Sequence, residues 1–380
     1  MRRDTGAKLV GFYSASGGVG RSSVIIGLSW LLSCPNTKLG ELREILFRHE
    51  KSFNIGLIDF DFEAPSLIYY ANIDKLNDIK LKDLNKELSS ETWNIRSFFT
   101  LVFWGKEPRD NDIIPINIGC GDHTLPSLLS PFDIDSIVHI HYTWGSSIRR
   151  RAFLADQMKH VLNGFAKKRN LNIIFGDLRN GLGLVTQDVL ANSDIIVVVA
   201  RPDPLSLSRL YDSIALILDG LRRRSKEYYE NIKSINWILA FTHIDPEYHD
   251  NALDTYKRFS KLETRLVESS IVDINLLPAS VIPWVKKLGG RHRDINRYKY
   301  YIEYLNTLNN NIDTIIDVFE YINKLHGGLN QLRLFKMSEI NYAIKNVVGR
   351  DSDVDAVDIA FVNGLAVLAD AILRSAGVIG

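Results

Sequence analysis

Cysteine is almost absent: Cys34 and Cys120 are the only two in 380 residues. Two thiols cannot build a disulfide framework or a four-cysteine metal site within one chain, and they fit a reduced, cytoplasmic setting. Excess charge of either sign is missing too. Lys and Arg number 46 against 45 Asp and Glu, a net charge of +1. No global field therefore draws the chain to nucleic acid or membrane, and any such surface has to be a local patch. Long hydrophobic runs are lacking. The charge-free run from Ser22, "SSVIIGLSWLLSCPNT", falls short of the ~20 apolar residues that cross a bilayer, and it meets Pro35. The start, "MRRDTGAKLVGFYSA", is basic, but its short apolar stretch runs into a glycine loop. It reads as a first strand rather than a signal peptide. There is no internal repeat and no low-complexity segment.

What is present is a globular α/β pattern. Hydrophobic residues make up 46% and charged residues 24%, enough for a sizeable core. Apolar strands are expected at Lys8–Ala15, Phe53–Asp61, Leu171–Leu178, Ser193–Pro204, Ile235–Asp245 and Ile274–Trp284. Helical patterns fall between them: Arg21–Ser33, Ala152–Lys168, 183–193, 205–225 and 256–270. Strands alternating with helices predict a mainly parallel sheet with helices on both faces. Two regions fit poorly. Residues 68–150 hold a polar helical stretch, "KLNDIKLKDLNKEL", then loops, and read as an insertion; residues 295–380 read as a mainly helical extension of a domain spanning 1–294.

The stretch "YSASGGVGRSS", Tyr13 to Ser23, lacks the lysine of a phosphate-binding loop. The usual pattern is G-x-x-x-x-G-K-[ST] between a strand and a helix. Here Ala15 holds the first glycine position, Arg21 the lysine position and Ser22 the hydroxyl position. Gly17, Gly18 and Gly20 still let backbone approach a ligand with no Cβ in the way. Backbone N–H groups converging on one concavity, at a helix start with partial positive charge, suit di- and triphosphates. Ser22 is placed to offer a hydroxyl to Mg²⁺.

Three further segments stand in order behind this loop: "GLIDFDFEAPS" with Asp59 and Asp61, "IIFGDLRNGLGLVT" with Asp177, and "VVVARPDPLSL". "FTHID" and "VIPW" follow. With "SGGVGRS" at Ser16–Ser22, where the family usually has K-G-G-V-G-K-[ST], the chain resembles the ParA/MinD-like P-loop ATPases of the deviant Walker A kind. The resemblance implies a P-loop NTPase fold with the ligand at the carboxyl ends of the strands. It implies ATP and Mg²⁺, with Ser22 binding the metal directly and Asp177 through water. It puts Asp59 where the family positions or activates the attacking water and Asp61 where it senses the partner or the switch. Gly17, Gly18, Val19, Gly20, Arg21, Ser22 and Ser23 would wrap the phosphates, and Thr242 and Asp245 would stand near adenine without the usual Asn.

The departures matter as much. The family's two loop lysines are both gone. Ser16 replaces the one that reaches a partner's phosphates, and Arg21 replaces the one that contacts the β- and γ-phosphates. Arginine keeps the charge but is planar and bulkier, so binding is expected to survive better than fast hydrolysis. Arg179 and Arg201 are candidate substitute cations. The expected function is an ATP-binding switch and slow Mg²⁺-dependent ATPase, with Arg21 and Asp59 in its catalytic set. Nucleotide would drive homodimerisation or binding of a protein partner. The alternatives are a non-hydrolysing nucleotide-sensing scaffold and a non-specific DNA-binding partition ATPase. The DNA reading rests on basic clusters at 149–151, 222–226 and 286–293, whose bland reading is a solvated helix end. Cys120, His123, His139 and His141 lack a recurrent zinc spacing and read as ordinary core or surface residues. "YKYYIEY" at 298–304 reads as helix packing, and the last apolar helix lacks the basic face of a membrane anchor.

Overall fold

A computed structural model describes residues 6–49, 51–71, 97–130, 140, 148–224, 230, 232, 235–250, 275–283, 297–326, 332–348 and 354–379. The expected helix at 256–270, the polar stretch within 72–96 and the basic cluster at 286–293 lie outside the described residues.

The strands are β1 (Lys8–Tyr13), β2 (Ile55–Asp59), β3 (Ile114–Asn117), β4 (Thr124–Leu128), β5 (Ile173–Asp177), β6 (Ile195–Ala200), β7 (Asn236–Ile244) and β8 (Asn275–Pro283). They form one sheet in the order β3-β4-β2-β5-β1-β6-β7-β8. Every neighbouring pair is parallel except β3 with β4. β5 and β6 are apolar almost throughout and buried at every position, as strands covered on both faces must be. Side chains alternate: Val10 and Phe12 of β1 enter one core, Leu9 and Tyr13 the other.

Against the Val10 side pack α1 (Arg21–Ser33) and α2 (Thr37–Phe47). Against the Leu9 side pack α3 (Phe98–Trp104), α4 (Ile148–Arg169), α5 (Leu184–Ala191) and α6 (Pro204–Arg224). The C-terminal region supplies α7 (Arg297–Asn310), α8 (Ile312–Leu325), α9 (Met337–Val347) and α10 (Ala356–Ser375). These four join the α1 core rather than standing apart. α10 lies so close to β8 that a Cβ at Gly364 would sit 2.5 Å from the Val281 carbonyl oxygen. Among the described residues it is the one helix long and apolar enough to cross a membrane, and 83% of that stretch is buried in the protein. Tyr298, Tyr301 and Tyr304 are buried in the same core, as the packing reading expects.

Two findings depart from the sequence reading. The span 68–150 is not loops alone: it contributes α3, β3 and β4, and β4 extends the sheet beside β2. Cys34 and Cys120, expected as reduced thiols, form a disulfide with Cα atoms 5.9 Å apart. It joins the end of α1 to the turn before β4. An 86-residue separation hides such a pairing from sequence, because only the fold brings the two ends together.

Candidate phosphate and metal site

The carboxyl ends of β1, β2, β5 and β6 meet at one edge of the sheet, and the loop from β1 to α1 rises there. Gly18 and Gly20 take left-handed φ values of 70° and 80°, which only glycine adopts without strain. That turns the chain sharply into α1, whose N-cap is Gly20 with no side-chain cap. The first N–H groups of the helix are left for a ligand. A Cβ at Gly17 would come 3.1 Å from Asn180 Nδ2, and one at Gly20 would come 3.1 Å from His243 Cε1. The loop is thus a cradle that side chains would fill. It lines a cavity of about 680 Å³ whose wall includes Gly17 to Ser23, Asp61, Ser66 and Arg201. Tyr69, Tyr70, Tyr298, Tyr301 and Phe361 add an aromatic lining to the same cavity.

Beneath the loop lies a dense charge cluster. Arg21 donates from Nε to Asp177, from Nη1 to Ser14 Oγ at 3.0 Å and from Nη2 to Asp61 Oδ2 at 3.1 Å. Ser22 Oγ donates to Asp177 Oδ2, and Ser66 Oγ donates to the same oxygen at 3.0 Å. Ser22 and Ser66 hydroxyl oxygens are 2.5 Å apart. Asp59 turns away from the cavity. Its Oδ1 accepts from the Asp61 N–H at 3.0 Å, and its Oδ2 accepts from the Ser66 and Leu67 N–H groups at 3.0 and 3.1 Å. It therefore shapes the 60–67 loop that carries Asp61 and Ser66 to the site.

Three carboxylates around one guanidinium disturb one another. Burial, then Asp177 and Asp61, push the Asp59 carboxyl well above the usual carboxylate range. Burial also raises Asp61, while Arg21 pulls it back. For Arg21 itself burial acts to lower the pKa, but Asp177, Asp61 and Asp59 together more than offset it, and the guanidinium stays charged.

The structure brings Gly17 to Ser23, Asp61 and Thr242 to the cavity wall, with Asp177 directly behind Ser22. Ser16 is not on that wall; its carbonyl oxygen accepts from Ser14 Oγ at 2.9 Å. Thr242 donates to the Val19 carbonyl at 2.6 Å, so it braces the loop. Asp245 lies off the cavity, exposed, where its carboxylate caps the turn Pro246–Tyr248. Arg179 pairs with Glu63 and lies over the Phe62 ring at 5.6 Å. Sequence reasoning missed Ser66, Ser14 and Asn180, which no loop pattern marks. It also missed His243, which lies within "FTHID" but reaches Gly20 through a left-handed φ of 58°. Tyr301, from the C-terminal region, donates to the Ser23 carbonyl at 2.7 Å. Among the described residues no group of three or more His, Cys, Asp or Glu could hold a metal unaided. Cys120 is taken by its disulfide, and His139 and His141 lie outside the described residues.

No protein-family model matches the chain, and no curated protein matches it. Solved structures do. A ParA from pNOB8 is 16% identical, with 97% of this chain and 98% of that one covered and a TM-score of 0.50. A plasmid partition protein from Borrelia burgdorferi B31, bound to AMPPNP, is 18% identical over 78% of this chain and 97% of its own, at a TM-score of 0.38. The cobyrinic acid a,c-diamide synthase of Mycobacterium smegmatis, with ADP and magnesium bound, is 14% identical over 81% and 96%, at 0.44. The chain shares with that ParA an α/β fold, a mainly parallel sheet with helices on both faces.

Proposed function

We propose that this chain is a nucleotide-dependent switch that binds ATP with Mg²⁺ at the Gly17–Ser23 loop and hydrolyses it slowly. The observation that carries the reading is the convergence of Ser22, Ser66 and Asp177 oxygens beneath a glycine loop at the start of α1. A small hard cation that keeps several waters suits such an oxygen set, and the uncapped helix start suits a phosphate chain. Ser22 would hold the metal directly and Asp177 through water; when bound, Mg²⁺ neutralises phosphate charge. Loading requires Asp177 to exchange partners, because Arg21 and Ser22 both donate to it. That exchange links the loop to the 60–67 and 177–183 segments, and gives nucleotide state a route to the surface where a second copy or a protein partner would dock.

The test is calorimetry with Mg²⁺-ATP and Mg²⁺-ADP, with phosphate release followed in the same sample and mass by light scattering. Binding with slow release is expected. Failure to bind any nucleoside triphosphate overturns the reading. A second reading, a sensor that binds without cutting, is favoured by one observation: the Asp59 carboxylate is engaged by three backbone N–H groups rather than facing the cavity. Tight binding with no release, candidate partners included, would select it.

A further inference from the structure

The cavity has to meet a highly anionic ligand with little free positive charge. Arg21 is held by Asp177 and Asp61, with a side chain only 10% exposed. Ser16 brings no charge, and Arg179 is engaged by Glu63 and Phe62 away from the wall. Arg201 differs. It lines the cavity just after β6, is exposed, and donates from Nη2 to the Gly18 carbonyl oxygen at 2.9 Å. Asp203 is near enough to feel its charge, but among the described residues no carboxylate forms an ion pair with it.

We propose that Arg201 is the phosphate-binding cation of this site, contacting the terminal phosphate of a nucleoside triphosphate in place of the missing loop lysines. Guanidinium geometry allows this without dismantling the loop. Five N–H donors radiate from one plane, and Gly18 uses one nitrogen, so the rest can grip a phosphate through two oxygens. Gly18 lies at the exposed rim of the loop, outward from the helix start at Arg21 and Ser22. A chain of phosphates whose inner members rest on the helix start and whose metal rests on Ser22 brings its last member to that rim. The assignment makes Arg201 a specificity residue for triphosphate over diphosphate.

The inference rests on the nucleotide reading above, and its test separates the two. Full-length wild type, Arg201→Ala and Arg201→Lys are titrated with Mg²⁺-ATP, Mg²⁺-ADP and AMP by calorimetry, with thermal melts of the free proteins. The melts are expected to coincide, because Arg201 is exposed. Arg201→Ala is expected to weaken ATP by about ten-fold or more, the scale of one charge-assisted contact, while ADP and AMP change by less than about three-fold. Arg201→Lys, with the charge but not the fork, is expected to recover part of the loss. Equal weakening of ATP and ADP, or no change in either, overturns the assignment while leaving the nucleotide reading standing. A wild type that binds none of the three overturns both.

Discussion

Replacing Arg21 by Ala removes the cation lodged among Asp59, Asp61 and Asp177. Two of these carboxylates are 0% exposed and the third 3%, so the charge left behind has no water to dissolve it. Removing one partner of a buried ion pair costs about 3–5 kcal/mol. Spread over the unfolding entropy of 380 residues, that corresponds to a drop of about 4–6 °C in thermal midpoint. The pH dependence fixes the mechanism. Asp59 and Asp61 have carboxyl pKa values raised by burial first, so the folded state holds their protons more tightly than the unfolded state does. Their contribution favours folding at low pH and is lost as pH rises from the ordinary carboxylate range through the raised values. Without Arg21 both carboxyls rise further. The deficit of Arg21→Ala is therefore expected to be largest near pH 8 and to shrink toward pH 5. Thermal melts of both proteins at half-unit steps of pH test this. A deficit below about 1 kcal/mol, or one that stays level or grows as pH falls, refutes the reading of Arg21 as the counter-ion of this cluster.

Asp59→Ala is expected to lose nucleotide binding as well as turnover, because three backbone N–H groups of the 60–67 loop lose their acceptor, each at a cost of about 1–3 kcal/mol; calorimetry showing unchanged affinity with turnover alone abolished would assign Asp59 to the water instead. Reduction of the Cys34–Cys120 bond, which spans 86 residues, is expected to lower stability by about 4.6 kcal/mol on the chain-entropy account, read as a lower denaturation midpoint with reductant than without. His249 is 1% exposed, and burial holds its pKa below the ordinary histidine value, with Asp250 opposing. The unfolded chain takes that proton first as pH falls, so stability is expected to drop below about pH 6.5, and His249→Gln to flatten the drop in melts from pH 8 to 5.

The central strands were legible because burial on both faces writes them as unbroken apolar runs, as in "IIVVVA" of β6. The helix Arg21–Ser33 was legible to the residue because a glycine turn opens it and Pro35 follows it. β3 and β4 were not. They are four and five residues long and carry Pro115 and Pro126, and such short runs look like loop. The site was legible as segments at strand ends but not as contacts. Arg21 meets Asp61 across 40 residues and Asp177 across 156, and nothing local says which carboxylate it faces. The resemblance of "FTHID" to the family's base-contacting segment puts Thr242 near adenine; in the fold Thr242 lines the cavity and its hydroxyl donates to the Val19 carbonyl. Only the packing of β7 against the loop decides that direction.

The choice of Arg over Lys at position 21 follows from what the side chain has to touch. Nε, Nη1 and Nη2 reach Asp177, Ser14 and Asp61, three partners brought by three different strand ends. An ammonium offers three donors from a single atom and cannot be within hydrogen-bond distance of groups spread that widely; a guanidinium fork can. The residue that in a lysine-bearing loop would wait for phosphate is here a staple that joins β1, β2 and β5 before any ligand arrives. A staple buried among carboxylates raises the cost of moving it, and that slows any step needing Asp177 or Arg21 to change partners. On the nucleotide reading proposed above, positive charge for the ligand comes from the rim, where Arg201 is exposed and donates to the Gly18 carbonyl. The absence of both lysines and the position of Arg201 are, in this sense, one arrangement: the inner cation stabilises the site, and the outer one would read the nucleotide.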